Sequence, residues 1–431
     1  MSVTRSPRAV KLAGLACACA ALSAACATFS ALAPIEPPSR SSFDPVLVAK
    51  GAALAAIGNC IDCHTAAGGK AFAGGRPIKT PFGTIYTANI TPDADTGMGR
   101  WSEAAFRRAL HEGVDREGRH LYPAFPYDHF TRVTDEDARA LYAFVMTRDP
   151  VRALPPPNEL LFPLNHRSLI GVWKALYFER GVFKPDPTQS GEWNRGAYLV
   201  QGLAHCGACH TPRNALGAEI KQQDLAGSDV EGWHAPALDM SSPAPVPWTA
   251  ETLYQYLRTG LDDLHAIAAG PMVPVVRNLG KAPEEDVRAI AVYIADRIGE
   301  PALARRRKPR EAQPQHELEA GDRFTRGAGI YVGACAPCHD QGRGVSSGGA
   351  LDLSLGSSTT MPTPANLIRI TLEGIPVPDD EPGRFMPGFA TALTDAQVKD
   401  LMFYIRAHFG REPPWPDIDA ELKKARAGQQ P

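Results

Sequence analysis

Cys60-Ile61-Asp62-Cys63-His64, Cys206-Gly207-Ala208-Cys209-His210 and Cys335-Ala336-Pro337-Cys338-His339 are three occurrences of one spelling. Two cysteines separated by two residues, with a histidine directly after the second, form the attachment signature for c-type haem. The chemistry dictates the spacing. Each thiol adds to one vinyl group of the porphyrin, and the adjacent imidazole reaches the iron from one side of the ring. A structural zinc site needs four ligands from paired knuckles close in sequence, and these pairs lie far apart with no second CxxC nearby. A thioredoxin-like redox pair sits in a βαβ setting, whereas the flanks here read as helix and coil. The triplet therefore predicts three covalently bound haem c groups. Cys60, Cys63, Cys206, Cys209, Cys335 and Cys338 would hold them, with His64, His210 and His339 as proximal iron ligands.

A chain of 431 residues has room for two to four domains. Its net charge of −2 offers no basic surface for nucleic acid. The 39 glycines and 39 prolines suit small, loop-rich domains, because a domain of about a hundred residues buries only a modest core and a covalent haem supplies much of it. Six of the nine cysteines belong to the motifs. Cys17, Cys19 and Cys26 lie in the N-terminal apolar stretch, so none remains for a disulfide framework in the folded part. There, Arg5, Arg8 and Lys11 precede an uncharged run from Leu12 to Ala33, the layout of an export segment. A signal peptide cleaved at Ala25-Cys26-Ala27 and a retained membrane anchor both fit. A lipoprotein reading fits less well, since no Leu-Ala-Gly-type box precedes a cysteine. All three place the mature chain in the periplasm or on the periplasmic face of the cell membrane, where haem attachment takes place.

The motifs sit in a repeating unit. A basic residue, Gly and Ala recur at one register in the helix before each motif: Lys50-Gly51-Ala52, Arg195-Gly196-Ala197 and Arg326-Gly327-Ala328. Mid-helix glycine costs about 1 kcal/mol against alanine, so its repetition predicts close helix crossing. The partner helix repeats too. It is opened by Thr134, Pro283 and Thr394, and it carries the inward aromatics Phe144, Tyr293 and Tyr404. Middle helices are marked by Ser102 and Thr249 as caps with Gly113 and Gly260 as stops, and an abbreviated one runs from Ala365 to about Gly374. The expected fold is mainly α: three tandem class I cytochrome c domains with long loops around covalent haems. They span 43–150, 191–300 and 321–411. Residues 1–33 form the export segment or anchor, 151–190 a proline-rich linker with a short helix near Trp173 to Phe178, and 301–320 a basic linker. Residues 412–431 form a tail read as a partner-docking or disordered extension.

For the sixth iron position, a Met thioether from the loop before the last helix is the usual counterpart. Met272 in Gly270-Pro271-Met272 fits the second unit. Met386 in Arg384-Phe385-Met386-Pro387 fits the third, with Met361 a weaker rival. In the first unit the matching place is Phe125, which cannot bind iron. His129, in Tyr127-Asp128-His129-Phe130, takes its place, with Met98 the alternative, His120 a third option, and a five-coordinate or otherwise filled iron also open. With His129 as ligand the first haem is expected to have the lowest potential of the three.

Gly58-Asn59-Cys60-Ile61-Asp62-Cys63-His64-Thr65, Asn89-Ile90-Thr91-Pro92-Asp93 and Leu121-Tyr122-Pro123-Ala124-Phe125-Pro126-Tyr127 complete the pattern. With them, the chain resembles the three-haem cytochrome c subunits of membrane-associated periplasmic dehydrogenases, from about Asp44 to Gly410. The resemblance implies an electron-transfer subunit. Its catalytic partner would be a quinoprotein alcohol dehydrogenase, a flavin-dependent polyol or sugar-acid dehydrogenase, or a molybdenum hydroxylase. Electrons would pass to ubiquinone or a further cytochrome, with the complex associated with the membrane. Family members often read Tyr-Pro-Ala-Met-Pro-Tyr, and the version with Phe125 looks more like the subunits accompanying molybdenum hydroxylases. Two other classes compete: a multihaem enzyme acting directly on a small substrate, of thiosulfate dehydrogenase or peroxidase type, and a haem subunit of a terminal oxidase.

Overall fold

The computed structural model describes residues 29–299, 321–340, 350–376 and 385–428. The segment before Phe29, with Cys17, Cys19 and Cys26, and the run Arg305 to Lys308 lie outside the described residues. The chain groups into two compact units. The first holds residues up to Gln189 together with Ala197–His205, and the second holds Ser190–Gly196 and the chain from Cys206 onward. The second and third motifs thus share one unit.

In the first unit, α1 (Pro45–Ile57) packs along the helix Asp135–Met146. Asp44 caps α1, its carboxylate accepting from the Val46 amide at 2.9 Å. Between α1 and this helix, α3 (Asp135–Met146), the chain forms the hairpin β1 (Pro77–Thr80) and β2 (Gly83–Tyr86) and then α2 (Glu103–Glu112). Ser102 and Thr134 cap α2 and α3, and Gly113 ends α2 at φ 60°. Each such cap stabilises its helix by roughly 1 kcal/mol.

The connector after α3 is not a free linker. Its strand β3 (Glu159–Leu160) adds to β2, and its helix α4 (Ser168–Tyr177) packs Trp173 edge-on to Tyr127 at 6.3 Å. The reason lies in paired donors and acceptors: Asn158 Oδ1 accepts from the Tyr86 amide and the Leu161 amide donates to the Phe82 carbonyl.

The second unit repeats the plan twice. First come α5 (Gly191–Tyr198), which belongs to this unit as far as Gly196, the hairpin β4 (Ser228–Val230) and β5 (Trp233–Ala235), α6 (Ala250–Thr259), the short pair β6 (Leu261–Asp262) and β7 (Ala266–Ile267), α7 (Met272–Leu279) and α8 (Glu284–Ile298). Then follow α9 (Gly321–Ala334), α10 (Ala365–Glu373), α11 (Asp395–Ile405) and α12 (Ile418–Ala427). The two copies are pinned where β5 meets α10. Asn366 Nδ2 donates to the His234 carbonyl and Asn366 Oδ1 accepts from the His234 amide, both at 2.8 Å. Arg369 Nε donates to Gly232 O at 2.6 Å.

The tail differs from its reading as a partner-docking or disordered extension. Residues 418–427 form α12, which folds back on α10 and α11. Trp415, Leu422 and Ala425 are buried in the third core, and Trp415 Nε1 donates to Met361 O at 2.9 Å. No helix among the described residues is long and apolar enough to cross a membrane.

The glycine expectation holds at all three crossings. A Cβ on Gly51 would collide with Ala140 O, on Gly196 with Ala289 O, and on Gly327 with Asp400 O. In each case the Cβ of the inward aromatic, Phe144, Tyr293 or Tyr404, stands close by as well. The basic residue just before each glycine pairs with a buried acid across the crossing. Lys50 Nζ lies 2.8 Å from Asp137, Arg195 Nε 2.7 Å from Asp286, and Arg326 Nε 2.6 Å from Asp400.

Candidate haem sites

Each CxxCH motif folds as a helical turn that closes on its own histidine: the His64 amide donates to Cys60 O, that of His210 to Cys206 O and that of His339 to Cys335 O. The turn brings both thiols to one side and leaves the imidazole at its end. In each case a downstream carbonyl holds the ring. Nδ1 of His64 lies 2.7 Å from Ala88 O, Nδ1 of His210 2.7 Å from Pro236 O, and Nδ1 of His339 3.1 Å from Leu351 O. A carbonyl only accepts, so Nδ1 carries the proton, which fixes Nε2 as the nitrogen with a lone pair for iron. Burial pushes the pKa of His64 and His210 down, and the bond to the carbonyl offsets this only in part. Both rings are held neutral, the ligand form.

The loops presenting these carbonyls are built alike in the first two sites. Thr65 Oγ1 accepts from the Phe72 amide at 3.1 Å and Thr211 Oγ1 from the Leu225 amide at 3.0 Å, with Phe72 and Leu225 both at φ 62°. Two residues on, the Gly74 and Gly227 amides donate to the carbonyls of His64 and His210. Downstream of Ala88, buried Asn89 locks the first loop. Its Oδ1 accepts from the Thr91 amide and hydroxyl, and its Nδ2 donates to Val151 O at 2.7 Å. In the third site Asp340 stands where threonine stood, and it accepts from the Tyr331 hydroxyl at 2.7 Å. None of these second partners carried a sequence signal apart from the Asn89-Ile90-Thr91-Pro92-Asp93 stretch. The threonine following the first two histidines was the available hint to the rest.

The thiols do not resemble a redox pair. Burial, helped by the neighbouring Cys63, pushes Cys60 up to about 12. Burial with Cys209 beside it does the same for Cys206, to about 12, and burial with Cys338 beside it takes Cys335 to about 11. Catalytic CxxC thiols are shifted the other way. All six motif cysteines are unpaired in disulfides. Paired unbonded thiols, a carbonyl-held imidazole and a loop-rich shell form a donor set that suits covalent haem c. Such a group would supply one-electron redox chemistry, with the carbonyl-held imidazoles of His64, His210 and His339 as the residues that would hold its iron.

On the opposite side the sequence candidates are placed unequally. Met272 opens α7 rather than lying in a loop, directly after Gly270 at φ 54° and Pro271, and is half-buried. Met386 pairs its amide and carbonyl with those of Ile375, just ahead of the Thr394 capping box. Met361 is buried, and its sulfur accepts from Asn366 Nδ2 at 3.2 Å, at the join of the second and third repeats. In the first unit, Phe125 packs on Phe130 with ring centroids 5.1 Å apart. His129 is buried, and its Nδ1 donates to Gln201 O at 2.9 Å. Met98 is buried in a tight loop, its amide donating to Thr91 O. His120 is held by Lys174, whose Nζ lies 3.2 Å from its Nδ1, and by the ring of Phe29.

Comparison with known proteins agrees with this architecture. The cytochrome c family profile matches residues 48–149, and that of cytochrome c oxidase, cbb3-type, subunit III matches 322–405. The chain is 46% identical over 400 residues to a nicotinate dehydrogenase subunit of Pseudomonas putida, covering 92% of this chain but only 33% of that protein. It is 36% identical to the fructose dehydrogenase cytochrome subunit of Gluconobacter japonicus, covering 92% and 85%, and 36% identical to the gluconate 2-dehydrogenase cytochrome c subunit of Pantoea cypripedii, covering 84% and 86%. The fold and motifs thus define a c-type cytochrome carrying covalently bound haem. Within that class, the chain belongs to the cytochrome c subunits of dehydrogenases, whose part is electron transfer.

Proposed function

We propose that the chain relays electrons through three haem c groups, from the catalytic subunit of a periplasmic dehydrogenase to ubiquinone or a further cytochrome, at the periplasmic face of the membrane. The observation that carries this reading is the threefold recurrence of a CxxCH turn whose imidazole Nδ1 is held by a backbone carbonyl. Cys60, Cys63, Cys206, Cys209, Cys335 and Cys338 attach the haems, and His64, His210 and His339 bind iron. Met272 and Met386 complete the second and third centres, and His129, with Met98 as alternative, completes the first. The three domains are those expected from the sequence, with the connector joined to the first and the tail to the third. Among catalytic partners, the class of the nicotinate dehydrogenase relative is favoured by its 46% identity and by Phe125 in the Leu121 to Tyr127 stretch.

The test is to purify the exported, haem-loaded chain with its copurifying catalytic subunit and add that subunit's substrate. The haems should be reduced only when both are present. Oxidation of a small substrate by the chain alone would favour the multihaem enzyme instead.

A further inference from the structure

Helix α4 is amphipathic in the inverted sense. Its one charged residue, Lys174, points inward at 8% exposure. There Nζ donates to the carbonyls of Glu112 and Gly113 at 2.6 Å each and lies 4.5 Å from the centre of the Tyr127 ring. Gly171, one turn earlier, is also buried. The outward face instead carries Leu169 and Leu176, which is 64% exposed, with half-buried Val172 between them. The turn entering the helix adds Leu161, 63% exposed, and Phe162, 80% exposed. Large exposed apolar side chains are normally scattered singly. Here five of the fifteen among the described residues fall between 161 and 176. A helix that hides its charge and shows its leucines is suited to an apolar surrounding.

Two observations identify that surrounding. From Leu160 to Phe178 there is no acidic residue, while His166 and Arg167 lead into the helix and Trp173 and Tyr177 lie along it. Basic and aromatic residues around an apolar face match an anionic lipid interface. In addition, the uncharged N-terminal run enters the described structure beside this helix. Phe29 packs edge-on to His120 at 5.6 Å, and His120 is gripped by Lys174 and by Arg167, which donates to its carbonyl at 3.1 Å.

We infer that the outer face of α4 and the Leu161-Phe162 turn form a contact with the anionic lipid surface of the membrane. The inference deepens the proposed membrane-face location and rests on it. Leu161, Phe162, Leu169 and Leu176 enter the interfacial layer, while Trp173 and Tyr177 sit at headgroup level.

The test uses the full-length haem-loaded protein and vesicles of phosphatidylcholine and phosphatidylglycerol in equal parts. The double variant Leu169→Ser/Leu176→Ser should partition to vesicles about a hundredfold more weakly than the unaltered protein, with its haem spectrum unchanged and its thermal midpoint lowered by no more than a few degrees, because Leu169 is 38% and Leu176 64% exposed. Phe162→Ser should weaken it about tenfold. A chain beginning at Phe29 should still bind. The inference is overturned if the double variant binds vesicles as the unaltered protein does, or if the chain beginning at Phe29 does not bind at all. It is equally overturned if the double variant keeps vesicle binding and loses the catalytic subunit, which would make the face a protein interface. Haem reduction by the catalytic subunit, read in detergent on the same preparations, separates a failed relay from a failed lipid contact.

Discussion

At Gly51, Gly196 and Gly327 one hydrogen atom decides whether two helices meet. A methyl group there would press on a backbone carbonyl that cannot move aside. Gly327→Ala should therefore destabilise the second unit by about 2 kcal/mol or more. Gly329→Ala, in the same helix with nothing within 4 Å, should instead stabilise it by about 0.5–1 kcal/mol; thermal melts of the two variants check the contrast. The glycines were legible because they recur at one register. Their acidic partners were less so, because the acid changes place. Asp137 and Asp286 sit one turn before the crossing residue, whereas Asp400 is the crossing residue itself and Gln397 holds the earlier position. Burial alone would raise the Asp400 pKa, but Arg326 and Arg323 outweigh it and hold the carboxyl below its ordinary value of 3.8. Its stabilising effect is thus complete above that value and lost as the pH falls through the depressed one. The melting midpoint of Asp400→Asn should lie a few degrees below the unaltered protein at pH 7, and the two should converge in strong acid. The sixth ligand of the first iron is another residue-scale matter. If His129 binds, His129→Ala should abolish a bis-histidine low-spin EPR signal and leave the other two centres unchanged; an unaltered spectrum would point to Met98.

Among the elements, the capped helices were readable because caps, stops and inward aromatics are local signals. Ser102, Thr134, Thr249 and Thr394 all accept from the amides expected of caps. The connector and the tail were not readable as folded parts. Their docking depends on partners far away in sequence: Asn158 with Tyr86, Lys174 with Glu112, Trp415 with Met361. Arg426 likewise reaches the carbonyls of Ala390 and Leu393. Trp415→Ala should cost about 3–5 kcal/mol, and ending the chain at Pro413 should lower the thermal midpoint of the second unit at least as far. A tail that only tethered would leave the melt unchanged. The join of the second and third repeats through Asn366 and Arg369 also had no sequence signal, since neither residue belongs to the repeated pattern.

For the whole molecule, the three CxxCH motifs carried the class and the repeat carried the architecture. The ring orientation at each site came from the carbonyls of Ala88, Pro236 and Leu351, which backbone geometry alone supplies. The central claim is that all three sites hold a redox-active haem on one chain. Coulometric reduction of the full-length, haem-loaded protein, followed at the haem absorption bands, measures this directly. The account predicts uptake of three electrons per chain, one for each motif, with none of the motifs silent. Uptake of two or fewer by fully haem-loaded protein would contradict it.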